Sequence, residues 1–268
     1  MNKELSILLV VIGITLSCRS NIEKPYILKF TIPEVANSQI REPIPSKKYR
    51  ADFISEVFPI FAGKFRFANK IDISPDKRDT AMSKDFVGNY SRSRIGDSID
   101  INGFELIVDY DQVVKFRQYD SIVYEYYPVY FVNSTKSDKM FLGKDDYIFG
   151  IQEALDNEKW KSWRPIESRG FDFCGNGRWG LIVHPNEFVV ILMRKYEGDF
   201  QTAMRVRFEL GDNIYVSKPF EGIIQESQFR IQDSSYLEKQ LRETNGSAAS
   251  WLFYGAVPRQ EEWAVKAF

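Results

Sequence analysis

Residues 203–210 read AMRVRFEL. Met204, Val206, Phe208 and Leu210 alternate there with Arg205, Arg207 and Glu209. Successive side chains of a strand point to opposite faces, so the stretch predicts a strand with an apolar inner face and a charged outer one. The LGDN that begins at Leu210 predicts a turn into a neighbouring strand. Just upstream, Phe188 to Met193 (FVVILM) is an unbroken apolar run and predicts a central strand.

The same pattern extends outward. From residue 101 the segments GFELIVDY, SIVYEYYPVYFVN, MFLG, YIFGIQEAL, WRPIES, FDFC, RWGLIVH, FVVILMRKY, AMRVRFEL and NIYVSKPF follow one another with turn signals between them. No helical stretch interrupts them. Short strands at this spacing predict a mainly β chain, an antiparallel Ig-like β-sandwich over residues 101–268, although the immunoglobulin cysteine–tryptophan–cysteine pattern is missing. Asn176-Gly177 predicts a hairpin joining Phe171–Cys174 to Arg178–His184, because a primed turn needs positive φ at its centre. One short C-terminal helix is expected where Ser235 and Glu238 form a capping box, Leu237 and Leu241 share a side and Gly246 closes the end. The final stretch from Ser250 has no clean period, and there is no internal repeat.

Residues 51–100 read differently. ADFISEVFPIFAGKFRF is apolar without a clear period, and DISPDKRDTAMSKDFVGNYSRSRIGDS is charged with few anchors. An irregular, loop-rich segment packing on the body is expected there. Residues 18–50 carry Pro25, Pro33, Pro43 and Pro45 and read as an extended tether.

Composition bounds the rest. Aromatics reach 15% of the chain, with 21 Phe and 14 Tyr, which favours strands. The net charge of −1 supplies no basic field to collect phosphates, so nucleic acid is excluded as the expected partner. The chain opens MNKELSILLVVIGITLSC, with a basic Lys3 followed by an apolar run from Leu5 to Leu16. Twelve residues span about 18 Å as a helix against a hydrocarbon core of roughly 30 Å, which reads as a signal-peptide core over residues 1–17.

The LSC that ends this segment resembles a bacterial lipobox, with Thr15 at its first position. The resemblance covers only these 18 residues. It implies that Cys18 becomes the lipidated mature N-terminus of a lipoprotein held in the membrane by acyl (palmitate-type) chains. Arg19 stands where an inner-membrane retention signal would have Asp, so a cell-envelope, outer-membrane destination is implied by analogy. Asp79-Thr80-Ala81, Asp97-Ser98-Ile99 and Asp120-Ser121-Ile122 are similar to the acceptor tripeptides of Bacteroidetes O-glycosylation.

Candidate chemistry is sparse. With Cys18 acylated, Cys174 has no partner thiol, and His184 is the chain's one histidine. Cys174 reads as a buried structural thiol and His184 as a turn residue, the alternative being a cysteine nucleophile with its base. Asp109, Asp111, Asp145, Asp146, Glu167 and Asp172 read as solvated acids, or as a pair for glycoside hydrolysis or calcium. Trp160, Trp163 and Trp179 form a possible binding surface, the alternative being core packing. No catalytic residue, cofactor or metal is assigned. The expected function is a non-enzymatic, membrane-anchored envelope lipoprotein presenting its β-sandwich to a protein or glycan. The alternatives are an immunity-type lipoprotein that neutralises a toxin, and an envelope hydrolase using the acids or Cys174.

Overall fold

The computed structural model describes residues 28–40, 43–74, 84–88, 99–117, 122–157, 161–170 and 176–259. Cys18, Trp160, Asp172, Cys174 and most of each DS/T tripeptide lie outside these. The strands of the first half are β1 (Glu34–Ala36), β2 (Ser55–Val57), β3 (Ile60–Arg66), β4 (Lys70–Asp72), β5 (Phe86–Gly88), β6 (Glu105–Val108), β7 (Val114–Arg117) and β8 (Val123–Asn133). They continue as β9 (Lys139–Lys144), β10 (Gly150–Asp156), β11 (Ser162–Pro165), β12 (Glu167–Arg169) and β13 (Arg178–Val183). The last are β14 (Glu187–Arg194), β15 (Phe200–Leu210), β16 (Asn213–Val216) and β17 (Phe220–Ile224). Helix α1 (Tyr236–Glu243) and the one-turn α2 (Ala249–Leu252) follow.

The chain is mainly β, with open, sandwich-like sheets. β14 lies between β3 and β8, and β8 carries both β6 and β7 on its other edge. β13 lies between β5 and β9. β15 pairs with β10 on one edge and with β16 and β17 on the other, and β11 completes that sheet beyond β10. All these pairs are antiparallel. Two short parallel pairs, β1 with β4 and β2 with β12, lie outside them.

The central strand explains the apolar run. Val189, Ile191 and Met193 point into the main core with Leu181, Val206, Phe208 and Leu210. Phe188, Val190 and Leu192 point the other way, into a second core with Val35, Ile71, Ile73 and Tyr130. A strand with a core on both faces has no polar face to show, so its period-2 signal vanishes. β15 keeps its alternation, and Met204, Val206, Phe208 and Leu210 are all buried as expected.

The charged face of β15 is a correction. Arg205, Arg207 and Glu209 are half-buried rather than solvated. Arg205 Nε donates to Glu153 at 2.7 Å, Arg207 Nε lies 3.4 Å from the same carboxylate, and Glu153 is 1% exposed. Ile54, α1 and α2 build a third apolar cluster with Ile151 of β10, on the same sheet face as Glu153.

Residues 51–74 are also more regular than their sequence suggests. β3 is a member of the five-stranded sheet that contains β14 and β8. Lys64, Gly63 and Phe61 pair with Val189, Val190 and Ile191, so Ala62 is an extra residue, a β-bulge. Gly63 takes φ +137° there. The bulge inverts the alternation: Phe61 enters the main core, whereas Phe65 packs on the second core. The helix is as expected. Ser235 Oγ accepts from Glu238 N at 3.1 Å, Glu238 Oε2 accepts from Ser234 N at 2.6 Å, and Gly246 at φ +76° closes onto the Leu241 carbonyl at 2.7 Å.

The first strand of the hairpin expected at Asn176-Gly177, Phe171–Cys174, lies outside the described residues. β13 itself pairs with β9 along its whole length and with β5 over Trp179–Leu181. Gly177 has the expected positive φ, +80°, but its carbonyl accepts from Asp145 N at 2.9 Å in the β9–β10 turn. The described part of the tether lies along the body. Tyr49 stacks on Tyr124 at 4.2 Å, its hydroxyl sits 2.7 Å from that of Tyr126, and Phe30 packs edge-on against Phe67 and Phe188.

Candidate functional site

Trp163 and Trp179 do not share a surface. Trp163 sits on the edge strand β11, where Arg205 covers its ring at 4.3 Å. Trp179 is on β13 in another sheet, 8% exposed, packed against Phe61 and Phe86, with Nε1 donating to the Asp145 carbonyl at 2.8 Å.

Nor do the described acids converge. Asp109 and Asp111 fall in the turn after β6 rather than on a strand face. Asp109 is occupied by Gln112, whose Nε2 lies 3.0 Å from Oδ2. Asp145 is in the β9–β10 turn with Lys144 at 3.0 Å. Glu167 is wholly buried and accepts from Gln152 N (2.7 Å), Gln152 Nε2 (2.8 Å) and the Tyr196 hydroxyl (2.7 Å). Burial pushes its carboxyl upward, against the pull of Tyr196, Arg194 and Gln152.

His184 is a turn residue between β13 and β14. Its Nδ1 lies 2.8 Å from Asp138 and its Nε2 3.4 Å from Asp85. Behind it, buried Lys64 bonds Asp85 at 2.8 Å and Glu187 at 2.7 Å, and Glu187 Oε2 accepts from His184 N at 2.9 Å. Both ring nitrogens face carboxylates, so neither is left to activate a thiol. Partial burial pulls the imidazole down, but Asp138, with Glu187 adding to it, holds it above the ordinary histidine value. Among the described residues no group of three His, Cys, Asp or Glu could hold a metal ion.

The structure assembles a different site at the seam of two sheets. A cleft of about 250 Å³ is lined by Leu142, Gly143, Phe149, Arg169, Arg178, Trp179, Glu209, Gly211 and Asp212. Five local decisions place these groups. β9 supplies Leu142 and Gly143, and the ring of Trp179 lies over Gly143 so closely that a Cβ there would stand 2.3 Å from it. Phe149 leads into β10, and its carbonyl accepts from Glu209 N at 2.9 Å. β12 ends at Arg169, registered against Val57 of β2. β13 begins at Arg178. The tight β15–β16 turn, with Gly211 at φ +62°, brings Glu209 and Asp212 to the same place.

The two guanidiniums of this cleft lack the usual partners. Arg169 is 7% exposed and sandwiched between Phe149 (4.7 Å) and Trp251 (4.5 Å). Its Nε is buried with no hydrogen-bond partner. Arg178 approaches the Phe149 ring at 5.9 Å. Among the described residues, neither guanidinium makes a side-chain hydrogen bond or an ion pair within 4.0 Å. Burial raises the Glu209 carboxyl, and Asp212 adds to that against the pull of Arg169 and Arg178. Such an arrangement offers guanidinium donors and a carboxylate acceptor at an apolar wall, which suits recognition of a charged small group.

Of the described residues singled out from sequence as candidate sites, Trp179 alone lines the cleft. Arg169, Arg178, Phe149 and Glu209 were not singled out. A signal existed: Arg169-Gly170 and Arg178-Trp179 bracket the FDFCGNG segment, with a charge beside an aromatic or a glycine at each end. No protein-family model, curated protein or solved structure matches the chain, so the site rests on its own geometry.

Proposed function

We propose that this chain is a non-enzymatic envelope lipoprotein, anchored through Cys18, whose β-body presents the Arg169–Arg178–Glu209 cleft for binding. One observation carries the binding half: a buried guanidinium with an unpartnered Nε, an exposed guanidinium and a half-buried carboxylate line one small cleft. The anchor half rests on the lipobox-like LSC at residues 16–18. Lys47 and Tyr49, in the described part of the segment that follows the anchor, lie on the body.

The test is photo-cross-linking in native membranes from a reactive residue placed at position 178. A discrete captured species, absent when the same residue is placed at 163, supports the reading. Diffuse capture of equal extent from both positions refutes the cleft. Cys18→Ala should leave an unprocessed precursor that no longer incorporates labelled palmitate. A variant that keeps both the label and the mature mass removes the anchor.

A further inference from the structure

We infer that the cleft takes a free zwitterionic α-amino acid with an apolar side chain, its carboxylate held by Arg169 and Arg178 and its ammonium by Glu209. The inference rests on the reading of this cleft as the binding place, and it names the ligand. Charge balance comes first. Within the lining Arg169 is buried and Glu209 half-buried, with Arg178 exposed beside them. A ligand of a single sign would neutralise one of the two desolvated charges and confront the other. A phosphate dianion meets that objection twice over. A zwitterion answers both signs at once.

Geometry adds to this. Arg169 is wedged between two aromatic rings, so its planar fork is held in place before any ligand arrives. A preorganised guanidinium is matched by a planar carboxylate better than by an isolated hydroxyl. The volume, about 250 Å³, lies at the small end for ligand sites, which suits one amino acid better than an oligomer. Leu142, Phe149 and Trp179 supply an apolar wall for the side chain. A neutral sugar is disfavoured for a specific reason. Sugar binding relies on an open aromatic face, and the Trp179 ring is 8% exposed with a face laid on Gly143.

The experiment uses the full chain in detergent micelles and titration calorimetry. The probes are L-leucine, D-leucine, N-acetyl-L-leucine, L-leucinamide and glucuronate. Saturable binding of at least one leucine enantiomer is expected. N-acetyl-L-leucine and L-leucinamide should each bind at least ten-fold more weakly, because each lacks one of the two charges. Arg178→Gln and Glu209→Gln should each weaken leucine at least ten-fold, and Trp163→Ala should leave it unchanged. Arg178 and Glu209 are chosen because Arg169 is buried and its loss risks the fold. If N-acetyl-L-leucine binds as well as leucine, the ammonium contact is wrong and the inference fails. If glucuronate binds and leucine does not, the ligand class is overturned while the cleft survives as a binding place. If no probe binds while position 178 still captures a discrete partner, the inference falls alone. If that capture is also absent, the underlying reading falls with it.

Discussion

His184 shows how much a single residue's meaning depends on its neighbours. By sequence it is a lone histidine ten residues from Cys174, the one cysteine beyond residue 18. In the structure it is a clamp whose ring nitrogens bridge Asp138 and Asp85 across a turn. Its folded-state pKa lies above its ordinary value, so the stabilisation it gives is fully present below about pH 6.5 and is lost as pH rises through the folded value. His184→Gln should therefore destabilise the protein at pH 5.5 and matter little at pH 8.5, as read by urea midpoints. An equal loss at both pH values would show that the imidazolium contributes nothing. Gly177 makes the complementary point. Its positive φ was legible from Asn-Gly, but its partner was not. A Cβ there would stand 2.1 Å from Asp145 Oδ1 in addition to straining the backbone. Gly177→Val should cost more than about 1 kcal/mol in chemical denaturation, with the slope unchanged. An unchanged midpoint would mean that the turn relaxes freely.

At the scale of elements, β3 is the instructive case. Period-2 reasoning assumes that every residue advances the alternation by one face. The extra residue at Ala62 breaks that assumption and sends Phe61 and Phe65 to different cores. A sequence window spanning a bulge averages two opposite phases, so the segment looks patternless although each half is regular. Gly63 is the residue that permits the kink, at φ +137°. Gly63→Val should destabilise by about 1–3 kcal/mol through backbone strain and crowding against the Phe65 ring. Hydrogen exchange should accelerate first in β3 and in the β14 amides that pair with it. Uniform acceleration across all the sheets would instead mark a general loss of stability. Helix α1 stands at the other extreme. Its cap, apolar spacing and terminal glycine are all local, and all three occur where the sequence put them.

For the whole molecule, the described part of the N-terminal arm is a structural layer. Phe30, Val35 and Tyr49 pack on the outer core of the main sheet, and Tyr49 also lies 6.3 Å from Tyr196. Tyr49→Ala should cost about 1–3 kcal/mol, since it removes a stacked and an edge-on aromatic contact. Limited proteolysis should then cut preferentially before residue 50. Unaltered protection of that segment would show that the arm is held elsewhere. The sequence alone determined what is local or strictly periodic: the mainly β class, the inward set of β15, the LGDN turn, the capped helix and the positive φ of Gly177. These follow from steric preferences and side-chain alternation within a few residues of each other. Tertiary structure decided which strands pair, which charges are covered and which residues meet. Arg169 and Glu209 are forty residues apart in the chain, and neither stands out in composition or spacing. They share a cleft because β12 ends, β13 begins and β15 turns at one seam between sheets, a coincidence of three strand ends that no local pattern encodes.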